Sequence, residues 1–167
     1  AVIYNVDYFS KYFKEASAEQ QAAISSPAKS WQQLKAQVAG ISRSSGATVT
    51  RSGLAFGTSE NSFAPADALG AMLAQNGSTI LTDDQKNIAF NLAIYANGQP
   101  TFPTVEALET YTSFATPGQA NYSWNTTLGD PIDAFVAGRT GAIIGYHSTL
   151  LTILEKKANF TIKVGPL

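Results

Sequence analysis

The chain contains no cysteine and only one histidine. Without cysteine it can form neither a disulfide framework nor a thiolate metal site. The single histidine leaves only scattered carboxylates as further metal ligands, so no metal site is predicted. No glycine-rich loop carries the Lys-Ser or Lys-Thr pair of a phosphate-binding P-loop, and no cofactor is expected.

An excess of one charge and a long apolar run are also missing. Eleven basic and twelve acidic residues give a formal charge of -1, so the chain has no electrostatic footprint for nucleic acid or an anionic membrane. No apolar stretch reaches the roughly 18 residues of a membrane span, and no signal segment opens the chain. We expect a neutral or small partner, and any export signal lies outside this sequence.

The length and composition are typical of one globular unit. The sequence has 167 residues, of which 44% are apolar, enough for one sizeable core. The whole chain, 1–167, is therefore predicted to be a single unit. The apolar strands predicted at both ends of the sequence suggest one lobe of a larger protein.

Periodicity and capping signals predict a series of helices. Ser30 and Gln33 have the spacing of a capping box before a helix, and Pro65 is placed at the start of another helix that ends at Asn76. Further helices are predicted over 7–14 and 104–115, the latter with an inward face of Val105, Leu108, Tyr111 and Ala115.

Another helix is predicted between residues 82 and 97. Thr82 and Gln85 match a second capping box, and Ile88, Leu92 and Tyr95 follow at helical spacing. Asn97 and Gly98 would end this helix.

The last third of the chain is predicted to alternate helix and strand. A helix around Asp133 is followed by a turn at Gly138, an apolar strand, a polar exit loop, a short helix and a closing strand over 160–167. Alternating strands and helices favour an α/β fold with a mostly parallel sheet flanked by helices. Ligands bind at the carboxyl ends of strands in such sheets, where Tyr146, His147 and Ser148 would lie.

Motifs in three segments together resemble the maltose-binding-like group of extracellular solute-binding proteins of carbohydrate ABC transporters. They are 2–9 (VIYNVDYF) with 30–34 (SWQQL); 53–57 (GLAFG) with 75–77 (QNG); and 111–114 (YTSF), 122–125 (YSWN), 133–142 (DAFVAGRTGA) and 164–167 (VGPL). Arg139 stands where the family usually has Lys, and residues 140–142 are smaller than usual.

The resemblance implies one lobe of a periplasmic-binding-protein type II-like fold, corresponding to most of the second lobe. It also implies an extracytoplasmic protein, periplasmic or a cell-surface lipoprotein, that captures a sugar by hinge closure and presents it to the ABC permease membrane subunits. The partners would be a neutral carbohydrate and the missing N-terminal lobe. Self-association of the isolated lobe is also expected, because the uncovered cleft and hinge would expose apolar surface.

Loops at three places border the cleft in that family. The predicted ligand-binding residues of this chain are Glu60, Asn61, Trp124, Asn125, Tyr146, His147 and Ser148. Aromatic rings suit the apolar faces of a sugar, and hydroxyl, amide and carboxylate groups suit its hydroxyls.

Structural roles are alternatives for several of these residues. Trp124 could cap the core, Glu60 could be a solvated loop carboxylate, and Tyr146 could pack on the next helix. His147 has no nucleophile and orienting carboxylate in view, and Ser148 points away from it on an extended chain, so no catalytic residue is predicted. Asp130 and Asp133 are expected to stabilise a helix N-terminus.

The sequence therefore favours a sugar-binding protein that is not an enzyme. A free-standing α/β enzyme, such as a hydrolase, is the first alternative. A scaffold or adhesive domain without a small-molecule ligand is the second.

Overall fold

The fold is a mixed α/β arrangement of short elements. The computed structural model describes residues 1–18, 21 and 26–166. The strands within these residues are β1 (Val2–Asn5), β2 (Arg43–Ser45), β3 (Thr48–Arg51), β4 (Ile94–Ala96), β5 (Gln99–Thr101), β6 (Ala142–Ile144) and β7 (Ile162–Gly165). The helices are α1 (Val6–Phe13), α2 (Trp31–Ile41), α3 (Pro65–Gln75), α4 (Pro103–Ser113), α5 (Pro131–Val136) and α6 (His147–Glu155), with a 3-10 turn at Thr126–Leu128.

The predicted fold class, a mostly parallel sheet in a binding-protein lobe, is wrong. The main sheet has three strands in the order β6-β1-β7, and β1 pairs antiparallel with both neighbours. The other two sheets, β2-β3 and β4-β5, are antiparallel pairs. Alternation of strands and helices predicted a parallel sheet, but it could not show that β1 lies between β6 and β7 and runs opposite to both, because strand order depends on distant parts of the chain.

Helices cover both faces of the main sheet because its strands alternate apolar side chains between the two sides. Val2 and Tyr4 contribute to one buried cluster, together with apolar residues of α2, α3 and α4. Ile3 and Ile143 contribute to a second cluster, with residues of α5 and α6 and with Trp124. The sheet therefore separates these two clusters.

Most of the predicted helices are confirmed, and local capping explains where they start. Ser30 Oγ accepts a hydrogen bond from the Gln33 backbone N–H at 3.2 Å, and α2 follows. Asp130 Oδ1 accepts from the N–H groups of Ile132 and Asp133 at 2.8 and 2.9 Å, which caps α5 as expected. The α4 helix exists, but its predicted inward face is wrong at Val105 and Leu108, which are 49% and 48% exposed.

The helix predicted over 82–97 is wrong. Leu81 and Ile88 form an antiparallel bridge, and β4 and β5 form a hairpin. Asn97 and Gly98 occupy its turn with φ values of 52° and 77°, as a type I′ hairpin turn requires. None of the helices in the described part of the chain is long and apolar enough to cross a bilayer.

Candidate functional site

Two of the predicted site loops leave the core at the same edge. Residues 52–55 lie beside β6 and run parallel to it, with bridges between Ser52 and Thr140 and between Ala55 and Ile143. The Ala55 N–H donates to the Ala142 carbonyl at 3.0 Å. Because parallel segments end on the same side, the loop after Phe56 and the loop after β6 emerge together. This local parallel pairing explains why the predicted loops meet although the sheet is antiparallel.

A buried serine fixes the third loop beside the same segment. Ser123 Oγ accepts hydrogen bonds from the N–H groups of Gly53 and Leu54 at 2.9 and 2.8 Å, and it lies 2.9 Å from the Leu54 carbonyl. Its side chain is fully buried. The adjacent Trp124 is held against the core by these bonds.

Trp124 lies inside the protein. Its exposed fraction is 0%, and it packs in the cluster that contains Phe135 and Ile153. Its Nε1–H donates to the Asn61 carbonyl at 2.9 Å. The indole has no face open to a ligand in this conformation, so its surroundings match the core alternative.

The amides of Asn61 and Asn125 hold the loops together. Asn61 Nδ2 donates to the carbonyls of Asn125 and Gly129 at 3.0 and 2.9 Å. Asn125 Nδ2 donates to the Ala47 carbonyl at 3.2 Å and to Tyr122 Oη at 2.9 Å. Each of these amides already donates twice, so neither N–H pair is free for a sugar hydroxyl.

Tyr146 has contacts that suit an exposed binding residue. Its side chain is 50% exposed, and its ring packs edge-on against Phe63 with 5.7 Å between the centroids and an interplanar angle of 76°. Its hydroxyl donates a short hydrogen bond to Asp67 Oδ2, and this bond raises the pKa of Tyr146 above its ordinary value.

Phe63 and Asp67 were missed by the sequence analysis. Phe63 is an aromatic residue inside an otherwise polar loop, and Asp67 lies in the first turn of α3. Both signals were present in the sequence. Their proximity to Tyr146 depends on the pairing of distant segments and could not be predicted locally.

The remaining predicted residues have exposed side chains that make no hydrogen bond to other described residues. They are Glu60, His147 and Ser148. His147 and Ser148 form the first turn of α6. The structure therefore does not bring a nucleophile or an orienting carboxylate into hydrogen-bonding contact with His147 within its described residues.

Glycine is required where the first loop begins. Gly57 has a φ of 102°, and a Cβ there would lie 2.9 Å from both the Ala115 nitrogen and the Tyr111 carbonyl oxygen. Tyr111 Oη then donates to the Thr58 carbonyl at 2.7 Å, which anchors the next residue. These contacts set the direction in which the loop leaves the core.

We call the surface defined by Glu60, Phe63, Asp67, Tyr146, His147 and Ser148 the loop face. It combines partly exposed aromatic rings with carboxylate, imidazole and hydroxyl groups. No group of three or more His, Asp or Glu side chains suited to a metal ion occurs among the described residues. The arrangement can offer ring contacts and hydrogen bonds to a polar ligand.

Comparison with protein-family models, curated proteins and solved structures finds no match to this chain.

Proposed function

We propose that the loop face binds a neutral carbohydrate without converting it. The chain would serve as a ligand-binding lobe of an extracytoplasmic solute-binding protein. In this role it would close on the sugar with a second lobe and deliver it to an ABC permease.

The environment of Tyr146 carries this proposal. A half-exposed ring braced by Phe63 offers an apolar face for the C–H groups of a sugar, while the hydroxyl and the Asp67 carboxylate offer polar contacts beside it. The Asp67 bond also restricts the rotation of the Tyr146 ring, which lowers the entropy that binding must offset. The transporter role rests on the sequence resemblance.

Binding is favoured over catalysis by the isolation of the only histidine. His147 makes no hydrogen bond to a described nucleophile or carboxylate, whereas acid-base and nucleophilic mechanisms need such partners within reach. If the chain were instead a hydrolase, it would turn over a substrate, and His147→Ala would abolish that turnover. A scaffold without a ligand would show no saturable sugar binding at the loop face.

The proposal is tested by NMR titration of the isotopically labelled chain with glucose, maltose and maltotriose. We expect saturable shifts at the loop face with millimolar affinity, worth about 4 kcal/mol, because a second lobe would supply the other contacts. Tyr146→Ala should weaken binding by about twofold to twelvefold, since aromatic contacts contribute roughly 0.5–1.5 kcal/mol.

Tyr95→Ala is the matched control. Tyr95 is 73% exposed on β4, so its removal changes a surface tyrosine outside the loop face. Absence of shifts with every sugar, or sugar binding that Tyr146→Ala leaves unchanged, would contradict the carbohydrate proposal. Micromolar affinity of the isolated chain would contradict the prediction that a second lobe supplies the remaining sugar contacts.

A further inference from the structure

A cavity of about 350 Å³ opens beside α1, away from the residues of the loop face. Its walls include the rings of Tyr4, Phe9 and Phe13 and parts of β1, β7 and α2. The size falls at the lower end of the range for small-molecule sites, about 300–1,000 Å³. Such a cavity has room for one small ligand with a modest apolar body.

The wall is rigid where β1 meets α1. Tyr4 and Phe9 pack edge-on with 5.4 Å between their ring centroids, and the Tyr4 hydroxyl accepts a hydrogen bond from the Ala28 N–H at 3.2 Å. Tyr4 is 5% exposed. A fixed aromatic wall of this kind favours an apolar ligand, because little side-chain ordering is needed on binding.

Two lysines give the cavity a positive charge. Lys14 and Lys163 are among its lining residues, which include no Asp or Glu in the described part of the chain. Neither ammonium group forms an ion pair or hydrogen bond with a described residue. Two unpaired cations beside an apolar cavity are complementary to an anionic group on an apolar molecule.

We propose that this cavity binds a small monocarboxylate with an apolar body, such as a medium-chain aliphatic acid. The body occupies the space between the aromatic rings, and the carboxylate faces Lys14 and Lys163. This site is independent of the proposed sugar site, because no residue of the loop face lines it.

The test compares sodium octanoate with 1-octanol, which has the same chain length and no charge. NMR titrations of the full chain should give saturable shifts at the cavity residues for both, with octanoate bound about fivefold to tenfold more tightly. The double variant Lys14→Gln/Lys163→Gln should reduce octanoate binding to the level of octanol.

Lys11→Gln is the matched control, because Lys11 lies on α1 three residues before Lys14, its ammonium is 5.1 Å from the Tyr12 ring centroid, and it does not line the cavity. It should leave both affinities unchanged. Ser10→Phe places a ring in the cavity from an exposed position and should block both probes.

Three results would overturn the proposal. They are no saturable octanoate shift at millimolar concentration, shifts located elsewhere on the chain, or equal octanoate affinity in the double-lysine variant and the unchanged protein. A retained pattern of shifts in the amides of β6, which belongs to the main sheet, would show that each variant is folded.

Discussion

Replacing Ser123 with alanine should destabilise the protein more than removal of a single hydroxyl normally does. The Ser123 hydroxyl is the hydrogen-bond acceptor for the buried Leu54 N–H and also lies 2.9 Å from the Leu54 carbonyl. Gly53 keeps a second acceptor, Ser42 Oγ at 3.1 Å, but Leu54 keeps none in the described structure. Alanine would therefore leave two buried polar groups of Leu54, its backbone N–H and its carbonyl, without a hydrogen-bond partner among the described residues.

The expected cost follows from those two groups. A buried, unsatisfied donor or acceptor costs about 1–3 kcal/mol, so two such groups should lower the free energy of unfolding of Ser123→Ala by roughly 2–6 kcal/mol. At about 2–4 °C per kcal/mol for a chain of this size, Tm should fall by about 4–24 °C. Total stabilities of about 5–15 kcal/mol make such a loss large.

Urea unfolding followed by circular dichroism measures this change. The midpoint should fall while the slope with denaturant stays constant, because the surface exposed on unfolding is unchanged. Ser44→Ala, at an exposed position on β2, should change stability by less than about 0.5 kcal/mol. A Ser123→Ala protein as stable as the Ser44→Ala protein would refute the assigned hydrogen bonds.

Other predictions address single features. In a Trp31→Phe protein, the fluorescence of the remaining Trp124 should be blue-shifted and little quenched by acrylamide, because this residue is fully buried. Red-shifted fluorescence with strong quenching would instead place Trp124 at the surface. Gly98→Ala should speed hydrogen exchange of the β4-β5 hairpin amides, since a left-handed φ of 77° costs alanine about 1 kcal/mol. Unchanged exchange rates would exclude the type I′ turn at Asn97 and Gly98. Asp67→Asn should lower the pKa of Tyr146 toward 10.0 in a spectroscopic titration, and an unchanged pKa would rule out the hydrogen bond.

The sign of the last effect defines a pH window. The bond with Asp67 raises the pKa of Tyr146 in the folded state above the unfolded value. Its stabilising contribution is therefore present below about pH 10 and is lost as the pH rises through the raised pKa. The Asp67→Asn protein should lack this dependence.

Helix starts were predictable because their signals are short-range. Ser30 and Asp130 bond to backbone groups within three residues, so their geometry is specified by neighbouring sequence. The helix predicted over 82–97 is wrong because the same short-range signals at Thr82 and Gln85 also fit a turn. Thr82 Oγ1 accepts from the Asn87 N–H at 3.2 Å in a turn, and Gln85 adopts a φ of 58°.

The hairpin also had its own signature in the sequence. Asn97 and Gly98 between Ile94 and Thr101 match the commonest two-residue hairpin turn. The exposed positions of Ile88, Leu92 and Tyr95, at 62%, 53% and 73%, show that helical spacing alone does not establish a buried face. A competing turn signal outweighed the periodicity.

The sequence by itself determined the ends of most helices, the apolar strands and the loops that carry polar residues, because each depends on contacts between near neighbours. Tertiary structure alone decided that β1 separates β6 from β7, that Trp124 is buried, and that Phe63 and Asp67 lie against Tyr146. These outcomes depend on contacts between residues far apart in the chain. Their free energies arise only when the whole core is assembled, so no local pattern encodes them.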